Sequence, residues 1–352
     1  MVKLFGTEYS KKDLLQRVGD ISQIGGVRLH TLADGMERGV CAVDVRTGSG
    51  LNFTVLIDRG MDISTAEYKG QSLAWRSSTG DVSPAYYEAE DKGWLRSFSG
   101  GLVVTCGLTT AGAPCVDQDK PLGLHGRVSN TPASNVHADA EWQGDDYVMW
   151  VQGKVRETAM FGENIEMERR ITAKLGEPKL WIHDKVTNLG FQDTEHMILY
   201  HINIGFPVVD KGSKLIAPVR DCKPRDADAE IEKELYASFT EPVPGFRERC
   251  YYLDMAEAAD GDVSAALVNK DLGVYIKYPK KELPKFTEWK MTGEGWYVVG
   301  MEPANCWVEG RAKERERGTL QFLKPGETRE YHLEIGVLSS QAEINAFEKS
   351  IR

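Results

Sequence analysis

The sequence predicts an all-β protein, built as one large antiparallel sandwich with a few short helices. Apolar and polar side chains alternate in many segments of about 5–10 residues, and Gly, Asp, Asn or Pro separates these segments. No strand–helix–strand alternation is present, which argues against a doubly wound parallel sheet. No internal repeat of about 20–50 residues is evident, so the pattern does not favour a propeller.

The strands are expected in antiparallel pairs joined by short turns. The turn Gly48-Ser49-Gly50 between two alternating segments is typical of a hairpin. The remaining segments follow the same rule, with turns at Gly-Glu-Asn, Gly-Glu-Pro and Lys-Pro-Gly-Glu. The predicted strands are Val27–Asp34, Gly39–Thr47, Leu51–Asp58, Tyr147–Glu157, Ile165–Lys174, Lys179–Asn188, Met197–Ile204, Ala265–Asn269, Gly273–Tyr278, Phe286–Met291, Trp296–Glu302, Leu320–Leu323 and Arg329–Leu338.

Helical patterns are confined to three short segments. Ser10 is a suitable N-cap for a helix over Ser10–Val18. Ala227–Ala237 and Ser339–Ser350 are the other two. No Pro- or Gly-rich linker divides the 352 residues, so we expect one domain over 1–352, with an N-terminal extension over 1–26 and a C-terminal helix over 339–352.

Composition excludes several classes of protein. The chain has 53 acidic and 43 basic residues, a net charge of −10, which disfavours a nucleic-acid binder. No stretch approaches the roughly 20 apolar residues of a membrane span. The N-terminus lacks the apolar core and cleavage site of a secretory signal, so we expect a cytoplasmic protein.

The cysteine and histidine patterns indicate neither a metal nor a cofactor. None of the six cysteines forms a CxxC pair, and reduced core thiols are the simplest interpretation. No HxH or HExxH motif is present, and no GxSxG motif marks a serine hydrolase. We therefore predict no metal ion at the functional site and no cofactor. A structural ion stays open, because carbonyl and carboxylate sites on loops leave no sequence motif.

Two histidines have neighbours that suit a binding site. His125 lies in Gly-Leu-His-Gly-Arg, where glycine permits a tight turn and the close approach of a ligand. His201 and Asn203 lie on one apolar strand, and a period of two places them on the same face. The plainer alternatives are a loop histidine at a turn and a half-buried histidine within a sheet. Two long irregular connections, Gly80–Gly100 and Lys211–Arg247, are also expected to contribute to a site.

Two charged residues are further candidates. Glu302 ends an apolar strand before Pro303, where partial desolvation raises a carboxyl pKa and suits a general base, unless the side chain reaches solvent. Arg59 lies between Asp58 and Asp62. Its guanidinium could donate two hydrogen bonds to vicinal hydroxyls or to a carboxylate, or form a local salt bridge.

Three of these motifs together resemble the aldose 1-epimerase (galactose mutarotase-like) superfamily. They are Gly-Leu-His-Gly at 123–126, Tyr-His-Ile-Asn at 200–203 and Gly-Met-Glu-Pro at 300–303, in the chain order of that superfamily. Asp-Arg-Gly-Met-Asp-Ile at 58–63 and His-Gly-Arg-Val-Ser-Asn-Thr-Pro-Ala at 125–133 resemble a branch that is labelled only as a domain of unknown function.

The resemblance implies a β-supersandwich with a sugar cleft on its concave face. It implies that Glu302 takes the proton of the C1 hydroxyl, that His201 protonates the ring oxygen, and that His125 binds a hydroxyl or assists at that oxygen. The partner would be a small-molecule carbohydrate, with no nucleic acid or membrane involved, and the protein would be a monomer or homodimer. The expected substrate-binding residues are His125, Arg59, Arg127, Asn203 and Arg247.

Other functions fit the same fold and stay open at this point. A carbohydrate-binding or sensing module would bind sugar saturably without turnover, and another sugar isomerase, an epimerase or a lyase could use the same scaffold. A binding module needs no acid–base pair, so the presence of both His201 and Glu302 favours the mutarotase-like enzyme. The arginines hint at an anionic sugar as its substrate.

Overall fold

Twenty-four strands and four helices form residues 1–351, the part of the chain that the computed structural model describes. The strands are β1 (Val2–Leu4), β2 (Thr7–Tyr9), β3 (Gly26–Thr31), β4 (Cys41–Arg46), β5 (Leu51–Leu56), β6 (Asp62–Tyr68), β7 (Gln71–Ser72), β8 (Val104–Leu108), β9 (Cys115–Asp117), β10 (Lys120–Leu122), β11 (Ser134–Gln143), β12 (Asp146–Thr158), β13 (Asn164–Lys174), β14 (Lys179–Asn188), β15 (Thr194–Ile204), β16 (Lys214–Ile216), β17 (Val219–Pro224), β18 (Arg249–Met255), β19 (Asp262–Asn269), β20 (Leu272–Pro279), β21 (Lys285–Gly293), β22 (Trp296–Ala304), β23 (Gln321–Leu323) and β24 (Thr328–Leu338). The helices are α1 (Lys11–Leu15), α2 (Ala227–Glu230), α3 (Arg311–Glu316) and α4 (Gln341–Ser350).

Three large antiparallel sheets carry the fold. One has eight strands in the order β11-β12-β13-β14-β24-β20-β19-β16, and one has five in the order β3-β4-β5-β6-β7. The third has seven, β17-β18-β21-β22-β15-β23 with β8 added on β15. Apolar side chains from all three sheets pack into one main core, which confirms the predicted antiparallel sandwich.

The alternating segments predicted from the sequence correspond to strands, and the remaining strands were not predicted. All five residues of β8 are buried, so no apolar–polar period marks it. β11, at a sheet edge, was not predicted either, although Val136, Ala138, Ala140 and Trp142 alternate with polar residues along it and pack against the main core. The helix predicted over Ala227–Ala237 is wrong in length, because α2 ends at Glu230 and a separate turn of 3-10 helix follows. The helix α3 was not predicted from the sequence.

The terminal segments pack on the body of the fold. Ser10 caps α1 through a capping box with Asp13, as its position suggested. Leu14 of α1 joins the main core. The helix predicted over 339–352 is α4, capped by Ser340, and residue 352 lies outside the described residues.

No helix within 1–351 has the length and hydrophobicity needed to cross a membrane. All six cysteines are free.

A fully buried arginine joins strands of the three large sheets. Arg169 of β13 donates from Nε and Nη2 to the carboxylate of Asp184 on β14, at 2.9 and 2.6 Å. Its Nη1 donates to Asp62 of β6 at 2.9 Å, and its Nη2 also donates to the hydroxyl of Thr105 on β8 at 2.8 Å. The hydroxyl of Tyr200 on β15 donates to Asp184 at 2.7 Å. The guanidinium is therefore matched by acceptors from every large sheet.

Replacing this arginine should destabilise the fold strongly. In Arg169→Met the carboxylates of Asp62 and Asp184 stay buried without their counter-charge, so we expect the free energy of unfolding to fall by about 3–5 kcal/mol. Urea denaturation measures the change. Lys211→Met, which breaks an ion pair with Glu241 on the surface, is the control and should change it by less than about 1 kcal/mol. Similar losses in both variants would contradict a structural role for the buried network.

Candidate active site

The pairing of two long strands sets a histidine beside a glutamate. In the antiparallel register of β15 with β22, Ile202 lies opposite Met301 and Asn203 opposite Gly300. The same register places His201 opposite Glu302. Because side chains alternate along a strand, both project from the sheet face that does not carry Ile202 and Met301, two residues of the main core. Residues a hundred positions apart thus meet on one surface.

His201 and Glu302 lie on the floor of a cleft of about 590 Å³. His201 Nε2 is 3.1 Å from Glu302 Oε1, and the two residues are only 5% and 1% exposed. The approach is not aligned for a hydrogen bond, and neither Glu302 Oε1 nor His201 Nδ1 has another hydrogen-bond partner within 1–351. Buried polar atoms without partners are unusual in folded proteins, and a catalytic role is one explanation for them.

Burial shifts the two pKa values in opposite directions. Desolvation raises the pKa of Glu302 well above its ordinary value, as the sequence analysis anticipated, and Glu248 adds to the effect. Desolvation lowers the pKa of His201 to about 3, and the neighbouring His125 contributes to that shift. Both shifts favour the uncharged forms. A protonated Glu302 and a neutral His201 together hold one titratable proton, in addition to the N–H that a neutral imidazole keeps.

Two glycines allow the His125 loop to pack closely against neighbouring backbone. A Cβ at Gly123 would lie 2.1 Å from the carbonyl oxygen of Ala89, and one at Gly126 would lie 2.4 Å from that of Gly107. Gly126 also has a φ of 75° and His125 a φ of 57°, both in the left-handed region. The Gly-Leu-His-Gly motif is thus explained by close packing of a strained loop.

The loop directs the His125 ring into the cleft as a neutral donor. Its centroid is 5.7 Å from that of His201 and 4.7 Å from that of Trp94. The main-chain N–H of Gly112 donates to His125 Nδ1 at 3.4 Å. Burial lowers the pKa of His125 to about 4. A neutral ring that accepts at Nδ1 carries its proton on Nε2.

Aromatic rings form much of the cleft wall. Trp289 stands edge-on to His201 with ring centroids 5.2 Å apart, and Phe98 lies 5.4 Å from His201. Trp94 stacks on Phe98 at 4.5 Å. Rings of this kind can pack against the apolar face of a sugar. Phe98 and Trp94 belong to the long connection 80–100, which confirms that this segment contributes to the cleft.

The cleft is also lined by charged residues that were not predicted from the sequence. Arg225 donates to Asp226 Oδ2 at 2.8 Å, to Glu248 Oε1 at 3.2 Å and to the Cys250 sulfur at 2.9 Å. Trp289 Nε1 donates to Glu248 Oε2 at 3.0 Å. Arg225 and Asp226 lie in the connection 211–247, whose length was the only sequence signal for them. The remaining charged lining residues are Lys92, Glu309 and Lys313.

The structure does not bring Arg59 to the cleft. Its guanidinium is buried and donates to the carbonyl oxygens of Ser129, Val82 and Ser97 at 2.7, 2.7 and 2.8 Å. All of its nitrogens are therefore used to hold backbone segments, and neither the substrate contact nor the local salt bridge considered for Arg59 is formed.

The other predicted binding residues lie around the cleft rather than in its lining. Arg127 is exposed and lines a separate cavity of about 530 Å³ on the far side of the His125 loop. Arg247 is exposed and pairs with Asp228 at 3.0 Å. Asn203 is buried, and its Nδ2 donates to the carbonyl oxygen of His201 at 2.9 Å, which suits a positioning role. His125, His201 and Glu302 are the predicted residues that the cleft brings together.

Comparison with known proteins gives the family and the fold. The sequence profile of the family described as Domain of unknown function (DUF4432) matches residues 37–337. A search among curated proteins found no match. A Klebsiella pneumoniae protein provisionally assigned as an aldose 1-epimerase is similar in structure, with a TM-score of 0.89, 25% identity, and coverage of 94% of this chain and 89% of that one.

More distant structures share the architecture. A galactose mutarotase-like protein from Clostridium acetobutylicum has a TM-score of 0.60 at 13% identity, covering 90% of this chain and 99% of its own. Galactose 1-epimerase from Lactobacillus acidophilus has a TM-score of 0.59 at 12% identity, with the same coverage. The resemblance noted in the sequence is therefore confirmed. The chain belongs to the DUF4432 family, and its fold is that of the galactose mutarotase-like β-sandwiches.

Proposed function

We propose that this protein is an aldose 1-epimerase-like enzyme that interconverts the anomers of a free sugar or sugar acid. The observation that carries the proposal is the buried pair of His201 and Glu302, with nitrogen and oxygen 3.1 Å apart and unpartnered polar atoms, on the floor of an aromatic cleft. The galactose 1-epimerase of the same fold supports this choice of reaction.

The proposed reaction is a ring opening followed by ring closure. The Glu302 carboxylate takes the proton of the C1 hydroxyl while the His201 imidazolium protonates the ring oxygen, and the C1–O5 bond breaks to give the open-chain aldehyde. Rotation about the C1–C2 bond presents the other face of the carbonyl. Closure reverses both proton transfers and yields the other anomer. The interconversion is redox-neutral, and the pair recovers its starting proton.

The uncharged resting pair differs from the reactive pair by one internal proton transfer, which burial of the two groups disfavours. The uncharged pair holds one titratable proton, as does the pair of carboxylate and imidazolium, so one proton transfer across the 3.1 Å contact produces the reactive form. Burial excludes water that could otherwise exchange this proton. His125 offers an Nε2–H donor to a sugar hydroxyl or to the ring oxygen, and Trp289 and Phe98 offer apolar faces to the sugar ring.

Replacing the Glu302 carboxyl group should abolish most of the anomer exchange. In Glu302→Gln the amide neither accepts nor delivers the proton, so we expect the catalysed rate to fall by about 10²–10⁴-fold. Anomer exchange measured by NMR across neutral and acidic aldoses gives the rate. Undiminished exchange in this variant would contradict the assigned role. Saturable binding by the unmodified protein without any exchange would instead establish a carbohydrate-binding module.

Glu288→Gln is the matched control for that variant. Glu288 is also fully buried, on the neighbouring strand β21, and burial raises its pKa to about 8. It lies opposite Met301, so it projects from the sheet face away from the cleft. We expect Glu288→Gln to exchange anomers at the rate of the unmodified protein. An equal loss in both variants would mean that perturbation of a buried carboxyl, and not catalysis, explains the effect.

The pH profile should reflect the shifted pKa values. The pair gains a second proton only as pH falls toward the His201 pKa of about 3, and it loses its single proton only above the raised pKa of Glu302. We therefore expect kcat/KM for anomer exchange to show no titration at 6.5, the ordinary value for histidine. A loss of activity with a midpoint at that pH would show that the two groups titrate independently.

A further inference from the structure

Two histidines face each other on the outer surface of the eight-stranded sheet. His183 of β14 lies directly opposite His332 of β24. Their rings stack with centroids 4.2 Å apart and planes inclined by 19°. The adjacent Ile182 and Leu333 belong to the main core, so the histidines project from the face turned away from it. The pairing of β14 with β24 holds the two imidazoles side by side.

A glutamate completes a set of three ligand atoms. Glu330 lies two residues before His332 on β24 and therefore shares its face. Its Oε2 is 2.8 Å from His183 Nε2 and 3.9 Å from His332 Nε2. Ligands of a tetrahedral zinc ion, bonded at about 2.0–2.2 Å, lie roughly 3.4 Å from one another. The two observed distances fall on either side of that separation. Binding of an ion requires that the two stacked rings rotate toward it and that the His183 proton, which Nε2 donates to Glu330, moves to Nδ1.

A second carboxylate orients one of the histidines. Glu282 accepts a hydrogen bond from the main-chain N–H of His332 at 2.9 Å, and its Oε2 is 3.1 Å from His332 Nδ1. A carboxylate accepts only, so the neutral ring keeps its proton on Nδ1 and directs the lone pair of Nε2 toward Glu330. A carboxylate behind a metal-binding histidine is the usual outer-shell arrangement at zinc sites. This contact is independent of the cluster itself.

We propose that His183, His332 and Glu330 bind a divalent transition-metal ion, with Zn²⁺ as the best match. Two imidazole nitrogens and one carboxylate oxygen suit zinc better than the calcium or magnesium ions that prefer oxygen alone. Within 1–351 these are the residues whose donor atoms gather closely enough, all within 4.8 Å of one another. The exposed side leaves room for a water ligand. The bound ion joins β14 to β24 at a site separate from the sugar cleft.

Zinc titration of the complete protein tests the site. After dialysis against a chelator, isothermal titration calorimetry with ZnCl₂ should show one saturable ion per chain. Glu282→Gln should weaken the affinity about 10–100-fold through loss of the orienting contact. His183→Ala and His332→Ala should each weaken it further, because each removes a ligand. Zinc should also raise the melting temperature of the unmodified protein and not that of His332→Ala.

His137→Ala is the matched control. His137 is exposed on β11 of the same sheet, 3.7 Å from Asp139, so it pairs a histidine with a carboxylate without a second imidazole at its side. This variant should bind zinc as the unmodified protein does. The proposal is overturned if the unmodified protein binds no zinc, if binding survives both His183→Ala and His332→Ala, or if His137→Ala loses as much affinity. Melting curves without zinc verify that each variant is folded.

Discussion

The buried guanidinium of Arg169 is the contact on which the arrangement of the sheets depends. A charge in the interior is tolerated only when its donors are matched, and here the acceptors come from strands of all three large sheets. One neighbour in this network, Tyr200, directly precedes His201 on β15. Because successive side chains point to opposite faces, fixing Tyr200 in the core also fixes His201 toward the cleft. The core network and the candidate site therefore share one strand register.

Burial alone does not make a carboxyl group a candidate for the proposed proton transfer. Glu288 and Glu302 are both inaccessible to solvent, and desolvation raises the pKa of both. Glu302, however, faces a histidine whose own pKa falls for the same reason, so one environment produces a proton donor and a proton acceptor 3.1 Å apart. Glu288 has Lys290 as its charged neighbour and faces the core. Glu302 therefore differs from Glu288 in having a histidine as its neighbour and in lining the cleft.

The sequence was informative where local pattern determines structure. Alternation predicted most strands, and the motifs around His125, His201 and Glu302 indicated three residues that the cleft brings together. Tertiary packing decided the rest. Arg59 has aspartates beside it in sequence, yet it hydrogen-bonds to carbonyl groups of three distant segments. No local sequence feature indicates that Arg59 binds these carbonyl groups. None indicates that Arg225 lies at the cleft either. His183 and His332 become neighbours only through the pairing of β14 with β24.

The floor and the walls of the cleft have different origins in the chain. His201 and Glu302 stand on paired strands in the interior of a sheet, where backbone hydrogen bonds fix their separation. Trp94, Phe98 and Arg225 come from connections, which tolerate changes of length and sequence far better than strands do. Under the proposed function, this division separates the residues that move protons from those that contact the substrate. Relatives with the same floor would then share the proposed reaction and differ in the sugar that they accept.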